Sequence, residues 1–181
     1  MKQSIKLFII IGIILVALAI NGCDPFDDVY LTLAMKTNFD IEIVDGTFSV
    51  TQDTCLSEFD DYDKNKNNIE EIIYISSAYI TMDSTNGFEA DSLILTVLRG
   101  DNSTQLFSFT IHNFNADEYV NNPLEIKITQ QEVDNINSYL SNPQEDKCFI
   151  AKLECFNATP PNAIYRLNSV IDILTQLKIK P

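Results

Sequence analysis

Hydrophobic and polar residues alternate along most of the chain, and a period of two predicts β-strands. The odd-numbered residues are apolar over 29–35 and again over 39–43. Asp45-Gly46 then predicts a tight turn, with a return strand at 47–50. The same reasoning predicts further strands over these residues: 73–82, 93–99, 105–113, 124–128, 149–156 and, as one or two strands, 164–179.

The strand at 105–113 shows the alternation most clearly. Phe107 and Ile111 share one side, and Ser108 and His112 share the other. This pattern predicts one buried face and one solvated face.

One segment has helical periodicity instead. Thr129 and Glu132 have the spacing of a capping box. Ile136 and Leu140 then fall on one apolar stripe, so we predict a short amphipathic helix over 130–140. The polar stretch at 53–68 is interpreted as a long loop, with a helical turn near 68–72.

Many short strands with a single helix predict a mainly β fold. Because the strands do not alternate with helices, a parallel sheet is not expected. The sequence predicts an antiparallel β-sandwich in the style of immunoglobulin domains. The helix at 130–140 is expected to bridge two strands across the sandwich.

The N-terminus has the layout of a signal peptide. Lys2 and Lys6 precede an apolar run at 7–20. As a helix this run extends about 21 Å, whereas a bilayer core is about 30 Å thick. A signal helix is therefore favoured over a stable span.

The end of that run resembles the lipobox of bacterial lipoproteins. Ile20-Asn21-Gly22-Cys23 places a small residue directly before a cysteine, although Asn21 is unusual there. The resemblance implies cleavage between Gly22 and Cys23, with a diacylglycerol-type lipid on Cys23 as the one covalent cofactor. The chain then divides into a signal peptide (1–22), a lipidated acidic tether (23–28) and a β-sandwich domain (29–181).

Charge limits the class of partner. The full chain has a net charge of −14, and loss of Lys2 and Lys6 with the signal peptide takes it to −16. Nucleic acid, which needs a basic footprint, is excluded as a partner. The membrane, reached through the lipid, and an unidentified envelope protein or extracellular ligand are the expected partners.

The acidic, Asn-rich body resembles small β-sandwich lipoproteins of Bacteroidota. In that group, acidic residues directly after the cysteine resemble an export signal, and Asp24, Asp27 and Asp28 occupy these positions. The resemblance implies an outer-membrane lipoprotein that faces outward. Asp91-Ser92-Leu93 also resembles the short O-glycosylation acceptor of Bacteroidota proteins, with Ser92 as the modified residue.

Three cysteines remain after lipidation. Cys55, Cys148 and Cys155 allow at most one disulfide, and the sequence does not select its partners. Alternation within 149–156 predicts that Cys155 points into the core. No C-x-x-C spacing is present, so a structural zinc site is not expected.

Calcium is the one metal for which a candidate exists. Asp61, Asp63 and Asn65 have the alternate spacing of an EF-hand loop. The pattern then departs from that loop, because Lys66 replaces the turn glycine and Ile72 replaces the closing glutamate. A solvated loop with no metal is the favoured interpretation.

Catalytic chemistry has little support in the sequence. His112 is the only histidine, and its position predicts a surface residue at a strand end. No G-x-S-x-G is present, and nothing singles out a carboxylate pair. We expect no enzyme activity.

Three functions remain, in this order: a non-catalytic binding or structural module of the cell envelope, a carrier or sensor of an apolar ligand held between the sheets, and a hydrolase or hydrolase accessory. Exposed tyrosines could also form a sugar platform. The tyrosine candidates are Tyr30, Tyr62, Tyr79 and Tyr119.

Overall fold

The computed structural model describes residues 29–43, 46–84, 87–101, 104–159 and 164–180. The strands of the described chain are β1 (Val29–Ile43), β2 (Phe48–Cys55), β3 (Ile69–Ser84), β4 (Glu89–Arg99), β5 (Gln105–Asn115), β6 (Leu124–Glu125), β7 (Cys148–Thr159) and β8 (Tyr165–Ile179). Its connections contain helices α1 (Asp60–Asn65) and α2 (Gln130–Leu140) and the 3-10 turns Leu56–Glu58 and Ala116–Tyr119. Tyr30–Lys180 forms one compact unit.

The strands form two sheets that make the predicted β-sandwich. Sheet I has the order β1-β8-β3-β6, and sheet II has the order β2-β7-β4-β5. This order is that of an eight-stranded jelly roll. In an immunoglobulin domain the first two strands are neighbours, whereas here β1 and β2 lie in opposite sheets. The predicted antiparallel β-sandwich is confirmed. Its strand order differs from that of an immunoglobulin domain, because alternation identifies the buried side of a strand but not its neighbours.

Alternate side chains of both sheets fill the space between them. Leu93, Leu95 and Val97 of β4 are at most 4% exposed, and Ile171 of β8 is fully buried. Each such side chain contributes about 1.5–3 kcal/mol when it leaves water. Cys155 is also fully buried, which confirms its predicted direction.

The prediction of a loop over 53–68 is wrong at its N-terminal end and right at its C-terminal end. Strand β2 continues to Cys55, and β3 begins at Ile69. The helical turn lies at α1 rather than near 68–72. The reason is that β2 is an edge strand whose outward residues are polar, while its buried Thr54 is hydrogen-bonded to Thr37 at 2.9 Å. The polar residues at the end of β2 are therefore typical of a loop in the sequence, although they form a strand.

The strand predicted over 124–128 is reduced to the two residues of β6, which pair with Ala78 and Tyr79 of β3. One further hydrogen bond joins Ile126 N to Ser77 O at 2.8 Å. The chain then leaves the sheet to enter α2.

Helix α2 has the predicted bounds and the predicted capping box. Its apolar stripe buries Ile136 and Leu140. Two side chains of α2 accept backbone hydrogen bonds from different sheets: Glu132 from Ser108 N of β5, at 3.4 Å, and Asn137 from Tyr74 N of β3, at 2.9 Å. The predicted bridge across the sandwich is confirmed.

Among the described residues, no helix has both the length and the apolarity needed to span a bilayer. The predicted signal peptide, the predicted cleavage position Gly22–Cys23 and the predicted tether at 23–28 lie outside the described residues.

Candidate binding surface

Strand β3 is apolar on the side that faces away from the core. Its inward row includes Ser77, Tyr79 and Thr81, all at most 2% exposed. Its outward row is half-buried or exposed and consists mainly of these apolar residues: Ile73, Ile75, Ala78, Ile80 and Met82. A strand that is apolar on both sides is typical of a sheet that is covered on both faces.

Strand β8 extends this outward apolar row across the sheet. Val170 pairs with Ile80, and Leu174 pairs with Ser76. Val170 is only 6% exposed although it faces away from the core. We call the following residues the apolar face of sheet I: Ile73, Ile75, Ala78, Ile80, Met82, Val170 and Leu174.

Two members of the apolar face are strongly exposed: Ile75 by 47% and Met82 by 57%. The outer side of sheet II is mixed. Thr96 and Ser108 share a hydrogen bond there at 3.2 Å and Lys152 pairs with Glu154 at 2.8 Å, while Phe156 is 38% exposed. The solvated face predicted for residues 105–113 is therefore confirmed in sheet II. Adjoining apolar side chains on one surface often mark a site of interaction.

Asp172 lies within the apolar face, where it pairs with Ala78. Its Oδ1 atom is buried, and no donor of the described residues reaches it. Burial raises the pKa of this carboxyl above its usual value, and the Lys36 ammonium on β1 partly opposes the shift. The carboxylate can therefore accept a hydrogen bond from a partner.

Two clefts border the apolar face along β3. One of about 540 Å³ is lined by residues 70–73 together with Asn137 and Ser141 of α2 and Lys178. The other, of about 360 Å³, lies between residues 74–76 and 125–128. Both clefts open to the outside beside residues 70–76 of β3, which β6 does not pair with.

A third cleft, of about 320 Å³, lies at the other end of the sandwich, between β4 and β5. Two of its three acidic residues are hydrogen-bonded to neighbours: Asp91 accepts from Asn157 Nδ2 at 2.7 Å, and Glu89 accepts from Asn115 Nδ2 at 3.1 Å.

The structure selects one of the cysteine pairings that the sequence left open. Cys55 and Cys148 face each other in the β2–β7 register and form a disulfide. The third cysteine is a core residue, and burial raises the pKa of the Cys155 thiol to about 12, which suppresses its reactivity. The strand positions of the two bonded residues could have indicated the pairing, but only once the end of β2 was known.

Asp146 lies beside the disulfide, so its carboxylate and the two sulfur atoms are close enough to resemble a metal site. The sulfur atoms are bonded to each other, and Asp146 accepts from Ser57 N at 3.0 Å and Ser57 Oγ at 2.6 Å. The group therefore links strands covalently and by hydrogen bonds, and its ligand atoms are not free for a metal.

The calcium candidates are not brought together. Asp61, Asp63 and Asn65 all lie on α1, where residues two apart point in nearly opposite directions. Asp63 pairs with Lys66 at 3.0 Å, and Asn65 Nδ2 donates to the Asp61 carbonyl at 2.8 Å. The EF-hand interpretation fails because α1 replaces the loop that it requires.

The other candidates are scattered over the molecule. His112 is exposed on the outer side of sheet II and pairs with half-buried Ser92. Of the four tyrosines, only Tyr30 is exposed, by 53%. Tyr62 is buried and donates to Pro143 O at 3.0 Å, so it serves packing.

Comparison with known proteins adds little to this geometry. No family model and no curated protein matches the sequence. Among solved structures, that of Desmodium yellow mottle tymovirus has a TM-score of 0.39 at 9% identity, over 88% of this chain and 91% of that one. Tobacco necrosis virus gives 0.41 at 8%, over 86% and 97%. A BFDV capsid protein gives 0.41 at 10%, over 84% and 95%. At these values the likeness supports no inference about function.

Proposed function

We propose that this protein is a lipid-anchored, non-catalytic binding module of a bacterial cell envelope, and that it binds through the apolar face of sheet I. The observation that carries the proposal is the outward row of β3. Ile75 and Met82 are exposed in the same outward row as Ala78 and Ile80. A strand whose outer side only faced water would not need apolar residues there.

The anchor rests on the sequence. Cys23 follows a short apolar run and a small residue, as in bacterial lipoproteins. Two or three acyl chains, each contributing about 0.8 kcal/mol per buried methylene, hold a protein stably on a membrane. The six residues of the proposed tether, 23–28, extend at most about 20 Å, so the domain stays close to the bilayer.

An envelope location agrees with the disulfide. The Cys55–Cys148 bridge is compatible with an oxidising or extracellular compartment, and such bridges are rare in the cytosol. We propose the outer membrane, with the domain facing outward. Removal of the domain by protease added to intact cells supports this orientation, and full protection contradicts it.

Lipidation at Cys23 is tested by labelling cells with an alkyne-bearing fatty acid. The wild type is expected to carry the label and to sediment with membranes, whereas Cys23→Ser is expected to lose the label. Cys155→Ala is the control, because it removes a cysteine that is buried in the core. Undiminished labelling of Cys23→Ser contradicts the proposal.

A further inference from the structure

Among the described acidic residues, Asp172 is the one that lies within the apolar face, and its side chain is half-buried there. Ile80 and Val170 form the neighbouring row on one side, and Ser76 and Leu174 form the row on the other. Its Oδ1 atom is buried without a hydrogen-bond donor among the described residues. A buried acceptor left unpaired is unfavourable, so a donor arriving from outside is favoured.

The chemistry of the best donor follows from charge. A lysine or arginine gives a charge-assisted hydrogen bond to a carboxylate, which is about twice as strong as a neutral one. The lipidated chain has net charge −16 once Lys2 and Lys6 are lost, which also favours a cationic partner. The surrounding residues Ile75, Ile80 and Met82 provide contacts for apolar side chains.

We propose that the apolar face binds a segment of another protein in which one lysine or arginine is flanked by apolar residues, and that this cation pairs with Asp172. The inference rests on the proposed binding function and adds to it the chemistry of the partner.

A bilayer fits this surface less well. Insertion would carry the Asp172 carboxylate into hydrocarbon, which is costly. Anionic headgroups would also repel a body of this charge. A second copy fits less well too, since two such faces would bring like charges together.

The test places a photoreactive benzoylphenylalanine at Met82 or at Ile75 of the full chain, expressed in the cells that make it. Both positions are exposed, so the probe does not disturb the core. The matched control places the probe at Ile94, which is half-buried on the outer side of sheet II. After irradiation, adducts are isolated and the cross-linked segment is read by mass spectrometry.

The expected result is a protein adduct from Met82 and Ile75 but not from Ile94. Its cross-linked segment contains a lysine or arginine flanked by apolar residues. Asp172→Asn is expected to lower the yield of that adduct about tenfold, the effect of losing one charge-assisted hydrogen bond. Asp53→Asn, on the outer side of sheet II, is expected to leave the yield unchanged.

Each other outcome overturns the inference. An adduct from Met82 whose segment has no cation, or whose yield Asp172→Asn does not change, overturns the partner chemistry and leaves the proposed binding function standing. Adducts with lipid alone, adducts with a second copy, equal adducts from Ile94, or no adduct at all overturn both.

Discussion

Asp172 and Asp40 are two aspartates of sheet I whose carboxyl groups lie in opposite surroundings. Burial raises the pKa of Asp172. Two hydrogen bonds from Arg166, at 2.9 and 2.7 Å, lower the pKa of Asp40. The first carboxylate therefore disfavours the folded state when ionised, and the second favours it.

Asp172→Asn is expected to stabilise the free protein at neutral pH. Because the folded pKa of Asp172 is raised, its contribution is most favourable below the unfolded pKa of about 3.8 and is lost as the pH rises through the folded pKa. Solvent screening of this half-exposed group limits the gain to about 1 kcal/mol or less. Urea denaturation between pH 3.5 and 7 measures it.

Asp40→Asn is the control, because the pKa of Asp40 is shifted in the opposite direction and the variant is expected to change stability in the opposite direction. The stabilising effect of Asp40 is present above its unfolded pKa and is lost as the pH falls through the lowered folded pKa. This variant is expected to be the less stable one at neutral pH and to approach the wild type in acid. If Asp172→Asn instead destabilises the protein at neutral pH, the account of its buried oxygen is wrong.

The secondary-structure elements show why the apolar face of sheet I could not be predicted from the sequence. Strand β3 was recognised from its Ile, Tyr and Thr residues, but an irregularity in the β8 register between Tyr74 and Ser76 shifts its alternation. With that shift, Ser77 and Thr81 face inward while Ile80 faces outward. A strict period of two cannot predict this arrangement, because the inward residues are even-numbered before the irregularity and odd-numbered after it.

The disulfide links two strands, since it joins the end of β2 to the start of β7 across a sequence separation of 93 residues. Replacing both Cys55 and Cys148 by alanine is expected to lower the free energy of unfolding by about 2–5 kcal/mol, because the unfolded chain regains the freedom that the closed loop removes. Urea denaturation with and without reductant measures the loss. Reductant should destabilise the wild type and leave the double variant unchanged; destabilisation of both would contradict this account.

Helix α2 depends on its N-terminal cap. Thr129 Oγ1 accepts from Glu132 N at 3.3 Å, and Glu132 in turn accepts from Thr129 N at 2.8 Å. Thr129→Ala is expected to cost about 1 kcal/mol of stability, measured by thermal or urea unfolding. Gln131→Ala, on the exposed side of α2, is the comparison, and an equal cost from both variants would argue against a capping role.

At the scale of the whole molecule, local pattern and long-range order differ in how far they can be predicted. Helix α2 was predictable to the residue because its cap and its stripe lie within a few turns. The jelly-roll order was not, since β1 pairs with β8 across the length of the domain. Asp172 was not singled out either, because its environment arises only when β3 and β8 are adjacent.

The central claim is that the apolar face of sheet I is covered in the cell envelope. Met82→Cys places a thiol on that face, and Thr51→Cys places one at an exposed position of sheet II. Background reaction is expected to be low, since Cys55 and Cys148 are bonded, Cys155 is buried and the proposed lipid blocks Cys23.

The decisive measurement is the rate at which a small maleimide modifies each thiol, in isolated envelopes and in the purified protein. Met82→Cys is expected to react readily when purified and to be protected in envelopes, while Thr51→Cys is expected to react at similar rates in both. Equal reactivity of Met82→Cys in the two preparations would contradict the central claim.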